Sequence, residues 1–124
     1  MESLVRHCLV LDLKENPELI AEYEAYHRRV WPEVIQQIRD AGIVRMEIYR
    51  VANRLCMVME VNASFSFERK AALDEANPRV VAWEDLMWKY QQALPFASKG
   101  EKWMLMDKIF DLDEHAGLPE GSAK

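Results

Sequence analysis

Apolar and polar residues alternate along HCLVLDL (7–13), IVRMEIYRV (43–51), RLCMVMEVN (54–62) and EKWMLMDKIFDL (101–112), the period of two that belongs to strands. Between these runs the period lengthens to that of a helix. Leu19, Ile20, Tyr23, His27 and Val30 recur at helical spacing behind Asn16-Pro17, where Asn suits an N-cap and Pro the first turn, so a helix is predicted over about 17–30. Pro32 has no amide proton and biases Trp31 toward extended backbone, so WPEVIQQIRDAG begins a second helix, with Gly42 as its stop. SFSFERKAALDEA and NPRVVAWEDLMWKYQQAL give two more, started by Ser64 or Ser66 and by Asn77-Pro78. Ala52-Asn53 is short enough to close a hairpin between the second and third strands.

The resulting order, strand, helix, strand, strand, helix, strand, is that of a ferredoxin-like split βαβ, an α+β fold with an antiparallel sheet and helices on one face. A single domain over 1–112 and a C-terminal tail over 113–124 are expected. Helices on one face should leave the other polar. Both faces of these strands nevertheless carry large apolar groups: in the last one Trp103, Leu105 and Ile109 alternate with Met104, Met106 and Phe110. The simplest second cover is another copy of the same sheet, so a homodimer is predicted, with Glu47, Glu60 and Asp107 either partnered at its interface or placed in a pocket.

Composition narrows the partners. Sixteen Lys and Arg against 21 Asp and Glu give a net charge of −5, mixed along the chain, so neither nucleic acid nor a membrane surface is expected as a partner. No apolar run is long enough to cross a bilayer, and MESLVRHCLVLDL lacks a small-residue cleavage site, so the expected location is cytoplasmic. Cys8 and Cys56 lie inside apolar strands, away from any CxxC or Cys/His cluster, and are expected to be buried thiols; no metal site is expected. Four glycines and no Gly-rich loop argue against a phosphate site.

EYEAYHRRVWPEV (22–34) is where chemistry enters, because Tyr23, His27 and Trp31 recur every fourth residue. Composition alone favours the inward face of a packing helix, with the imidazole satisfied by a carbonyl. The alternative is a small polyol site, since imidazole both gives and takes a proton near neutral pH and aromatic faces suit a sugar's CH groups. His27 is the best acid or base among three histidines; His7, at a strand start, and His115, in the tail, are expected to be exposed. A second cluster sets Trp83, Met87 and Tyr90 on one helical face with Trp88 turned away, which suits a core helix with Glu84 and Asp85 solvated as well as a ligand role for Trp83.

These residues carry a resemblance. The motif EYxxxHxxxWPE (Glu22, Tyr23, His27, Trp31, Pro32, Glu33), Gly42, Tyr49 late in the second strand, MVMEV with Glu60 and the helix from Trp83 to Met87 are together similar to the L-rhamnose mutarotase family over roughly residues 6 to 112. Its members are small dimeric α/β-barrel proteins that interconvert the anomers of 6-deoxy-L-sugars. The resemblance implies His27 as proton donor, Tyr23 in contact with the sugar and Trp83 lining the pocket; a mechanism built on it is expected to use Trp31 with Trp83 as walls, Tyr49 as a further sugar contact and Glu60 or Glu84 as the group partnering the imidazole. Glu84 stands where a second Trp is expected, and Met46 where rhamnose-type proteins have a sugar-contacting Tyr. Both departures fall on binding residues and bear on which monosaccharide is bound, and the WEDLM-WKYQQ-LP pattern resembles chains of L-fucose catabolism.

Mutarotation needs a proton taken from the anomeric hydroxyl and one given to the ring oxygen, then rotation of the open aldehyde and reclosure on its other face. Acid and base groups suffice for this, so no metal or other cofactor is implied. Two other readings use the same scaffold: a non-enzymatic ligand-binding dimer and a cofactor-free monooxygenase.

Overall fold

The computed structural model describes residues 3–115. Strand β1 (Val5–Leu13) is followed by helices α1 (Pro17–His27) and α2 (Pro32–Asp40), then by strands β2 (Ile43–Val51) and β3 (Arg54–Val61). Helices α3 (Phe67–Glu75) and α4 (Pro78–Trp88), short strands β4 (Gln91–Gln92) and β5 (Met104–Leu105) and a 3-10 turn (Leu112–His115) complete it. The sheet order is β2-β3-β1-β4, with β5 also on β1, and every pairing is antiparallel, as a ferredoxin-like α+β fold requires.

Local chemistry sets the helix starts. The side chains of Asn16, Ser66 and Asn77 accept hydrogen bonds from the first-turn amides of α1, α3 and α4. Trp31 is extended (φ −58°, ψ 136°), as a residue before proline should be, and separates α1 from α2. Gly42 adopts φ +97°, and a Cβ there would lie 2.6 Å from both Asn62 Oδ1 and Ser64 Oγ, so the turn into β2 admits only glycine. In the β2–β3 hairpin it is Ala52 that takes a positive φ, +50°.

Three expectations about length are corrected. Helix α1 ends at His27, three residues early, because the Arg28 and Arg29 amides fold back onto Ala25 and Tyr26 carbonyls and tighten the last turn ahead of Pro32. Helix α4 ends at Trp88, and the chain enters the sheet directly: Tyr90 accepts from the Lys14 amide at 2.9 Å and Gln91 pairs with Leu13. The expected strand over 101–112 shrinks to Met104–Leu105, because β1 has one free edge and β4 already occupies its end. Beyond one bond from the Met106 amide to Cys8, the segment runs off the sheet, leaving Ile109 95% and Phe110 65% exposed.

Alternation divides the sheet into two faces. Leu9, Leu11 and Leu13 of β1 with Leu55, Met59 and Val61 of β3 are buried beneath the helices, where Tyr23, Val34, Val80, Trp83 and Met87 meet them. The opposite, open face carries Arg6, Cys8, Val10 and Asp12 alongside their partners on β3, Glu60, Val58, Cys56 and Arg54. There Arg54 grips the buried Asp12 carboxylate with two hydrogen bonds of 2.7 and 3.1 Å. Cys8 and Cys56 are half-buried on this face, not fully buried, because the helices cover only the other. His7 is half-buried too, not exposed, with its ring 5.1 Å from that of Phe67 and 6.1 Å from that of Phe65. The expected tail lies largely outside the described residues, as does the His115 side chain.

Candidate active site

Between the helices and the covered face of the sheet lies a cavity of about 1090 Å³. Helix α1 supplies Tyr23 and His27 to it, α4 supplies Trp83, Glu84 and Met87, and the sheet supplies Met46 and Met57. Gln91 of β4 and Lys102-Trp103, just before β5, line it as well.

His27 is the last residue of α1, and its Nδ1 lies 2.9 Å from the Tyr23 carbonyl one turn back. A carbonyl only accepts, so Nδ1 carries the proton and Nε2 is left as the basic atom of the neutral ring. Burial lowers the imidazole pKa below its usual 6.5, and the Tyr23 carbonyl opposes this only in part. The resting group is therefore a neutral base. Tyr23 packs against it, ring centroids 4.3 Å apart, and is itself only 3% exposed. Burial pushes its phenol up to about 12; the Gln91 amide, 3.5 Å from the hydroxyl, acts the other way, and the Glu84 charge adds to the rise. Tyr23 thus remains a protonated hydroxyl throughout the physiological range.

Trp83 closes the aromatic box. It is 4% exposed and meets the rings of His27, Tyr26 and Trp31 edge-on at 5.7, 6.2 and 5.1 Å. Glu84 sits at the rim, held by Lys102 at 2.7 Å, and the same ammonium lies 4.7 Å over the Trp88 ring. Among the described residues no group of three or more His, Cys, Asp or Glu side chains is arranged to hold a metal ion.

Of the expected site residues, Tyr23, His27, Trp83 and Glu84 come together. Trp31 does not line the cavity; Pro32 turns the chain at this point, and its ring packs behind Trp83 with the Arg79 guanidinium 4.1 Å above it. Tyr49 and Glu60 lie on the open face, away from His27. Tyr49 donates to Glu47 at 3.1 Å and Arg6 donates to Glu60 at 3.3 Å, and with Arg45 and Val58 they line a separate hollow of about 280 Å³. For Tyr49 the cause is a bulge between Ile43 and Arg45, which fixes Met46 and Ile48 toward the helices and so sends Glu47 and Tyr49 the other way; Glu60 alternates with the buried Met59 and Val61 of β3. Glu47 and Glu60 accordingly find partners within their own chain, while Asp107 is exposed.

Gln91 and Lys102 belong to the site and were not anticipated. Reading 78–94 as one helix hid Gln91, since only as a strand residue opposite Leu13 does it face the buried layer. For Lys102, a lysine in a polar approach to a strand gave no signal at all.

The L-rhamnose mutarotase family model matches residues 6–112. An L-fucose mutarotase of Xanthomonas campestris pv. campestris is 46% identical over 123 residues, 98% of either chain. In structure, an L-rhamnose mutarotase from Formosa agariphila superposes with a TM-score of 0.64 at 21% identity, covering 86% of this chain and 97% of that one. A dimeric ferredoxin-like protein from an uncultured marine organism follows at 0.50 and 13% identity, covering 90% and 93%. With the fold, the cavity and the histidine motif in agreement, the chain belongs to the L-rhamnose mutarotase family, isomerases that act on sugar anomers.

Proposed function

We propose that this protein interconverts the α and β anomers of L-fucose, with His27 as the proton-transferring group. The observation that carries this is the fixed neutral tautomer of His27, whose Nε2 is left basic inside an aromatic-walled cavity. Nε2 takes the proton of the anomeric hydroxyl as the bond from the anomeric carbon to the ring oxygen breaks. The imidazolium so formed returns that proton to the ring oxygen, now the hydroxyl of an open aldehyde. Rotation about the bond next to the aldehyde and the reverse proton transfers close the ring on its other face. The neutral Tyr23 hydroxyl orients the sugar, Trp83 stacks against its CH face, and Glu84, held by Lys102, stabilises the imidazolium from the rim. L-Fucose is favoured over L-rhamnose because the relative at 46% identity is an L-fucose mutarotase and because Met46, lining the cavity, offers a thioether where a hydroxyl is expected for rhamnose.

Saturation-transfer NMR of the anomeric protons tests this directly. Faster exchange with L-fucose than with L-rhamnose is expected, and loss of that acceleration in a folded His27→Ala variant. A His27→Ala protein as active as the wild type would remove the histidine from the mechanism.

The open face supports a dimer. It carries half-buried Val10, Val58, Cys8 and Cys56 with none of the described helices above them, and the run-off segment adds exposed Met106, Phe110 and Leu112. A second copy meeting sheet to sheet would cover them and leave the His27 cavity, on the other side, open to substrate. Two adjacent thiols suit a reducing, cytoplasmic setting.

A further inference from the structure

A buried glutamine stands out in the cavity wall. Gln91 is 4% exposed, and its neighbours in the same layer, Leu13, Tyr23 and Met87, are equally buried. Its main chain is fixed: β4 pairs it with Leu13, and cross-strand partners project to the same face, here the one beneath the helices. Its Nε2 donates to the Tyr23 hydroxyl at 3.5 Å, while its Oε1 is buried with no hydrogen-bond partner. An amide held in this layer with an acceptor unsatisfied is penalised relative to a leucine of similar volume, unless a ligand supplies the missing donor.

Resting on the mutarotase reading, we propose that Gln91 is the specificity-determining residue of the site, accepting a hydrogen bond from one ring hydroxyl of the sugar through Oε1 while it positions the Tyr23 hydroxyl through Nε2. Tyr23 receives the Gln91 hydrogen bond on its oxygen and so keeps its own proton to donate. The two side chains then present an acceptor and a donor side by side. Two neighbouring hydroxyls of a pyranose match that pair, one giving and one receiving. Epimers in which either hydroxyl points to the other ring face lose one of the two bonds, leaving either the Gln91 carbonyl without a donor or the Tyr23 hydroxyl without an acceptor, which is how a polar site rejects a near-identical substrate.

The test is a cycle of protein and substrate changes, read as kcat/KM for anomer exchange by saturation-transfer NMR. Wild type, Gln91→Leu and Gln91→Met are compared on L-fucose and on its 2-deoxy, 3-deoxy and 4-deoxy analogues, with thermal melting run on each protein. The expected result is a loss of roughly ten- to a hundredfold on L-fucose in both variants, mostly in KM. One deoxy analogue should suffer that same loss with the wild type and little or none on top of it with the variants. Losses that multiply for every analogue, or variants as good as wild type on L-fucose, overturn the assignment. If both apolar variants melt early, Gln91→Glu, which keeps an acceptor oxygen at the same reach, carries the cycle: it should retain discrimination against the one analogue, and equal treatment of all three overturns the assignment as well. A wild type that accelerates neither L-fucose nor L-rhamnose fails at the earlier step, overturning the mutarotase reading and this inference together.

Discussion

His27 shows how far one side chain's behaviour follows from its place. Because burial holds its pKa below 6.5, the protein loses a neutral base only when pH falls under that value. The kcat/KM for anomer exchange should therefore be flat above about pH 6.5 and decline below it, and a decline setting in well above neutrality would contradict this. Stability has the same sign. Below pH 6.5 the unfolded chain binds a proton that the folded chain resists, so unfolding free energy should decrease with falling pH there, and less so in His27→Ala. At Gly42 the prediction is steric: Gly42→Ala forces a Cβ against Asn62 and Ser64 and an alanine into φ +97°, costing at least ~1–2 kcal/mol in urea denaturation. Trp83→Ala, emptying a buried site in contact with three rings, should cost about 3–5 kcal/mol. Tyr23 and His27 were legible in sequence because helical spacing fixes which residues share a face. The place of Tyr49 was not, since one bulged residue decides which face β2 presents, whereas Glu60 follows the regular alternation of β3, opposite to Met59 and Val61.

At the scale of elements, sequence signals worked wherever a single residue type does a single job. Asn16, Ser66 and Asn77 cap, Pro32 breaks and Gly42 turns, each at its expected place. They failed where tertiary pairing chooses between options of similar local merit. WKYQQAL has a helical pattern, yet the free edge of β1 takes Gln91 and Gln92 as a strand. EKWMLMDKIFDL alternates along its whole length, yet only Met104 and Leu105 find an edge to pair with. The hairpin offers a check on backbone strain. Ala52 holds φ +50°, a left-handed value that an L side chain resists, so Ala52→Gly should raise the melting temperature by the equivalent of up to ~1 kcal/mol.

For the whole molecule, the split between a covered and an open sheet face organises both assembly and chemistry. If two copies meet through the open face, Val58→Glu should yield monomers by light scattering, because it sets a carboxylate beside Glu60 and Glu47 in the hollow they share. The far-ultraviolet circular dichroism should be unchanged, since the helix-side core does not include that position. The shared edge of β1 has a different consequence. β3 grips that strand along eight residue pairs, whereas β5 holds it through two. Lys102 and Trp103, immediately before β5, thus belong to the part of the protein that lets go first. In native-state hydrogen exchange the Met104 and Met106 amides, which face β1, should open at a fraction of the global unfolding energy, well ahead of those in β3. Mild denaturant should then silence the enzyme while β1, β2 and β3 are still paired, because part of the wall around His27 is hung on one of the shortest pairings of the fold.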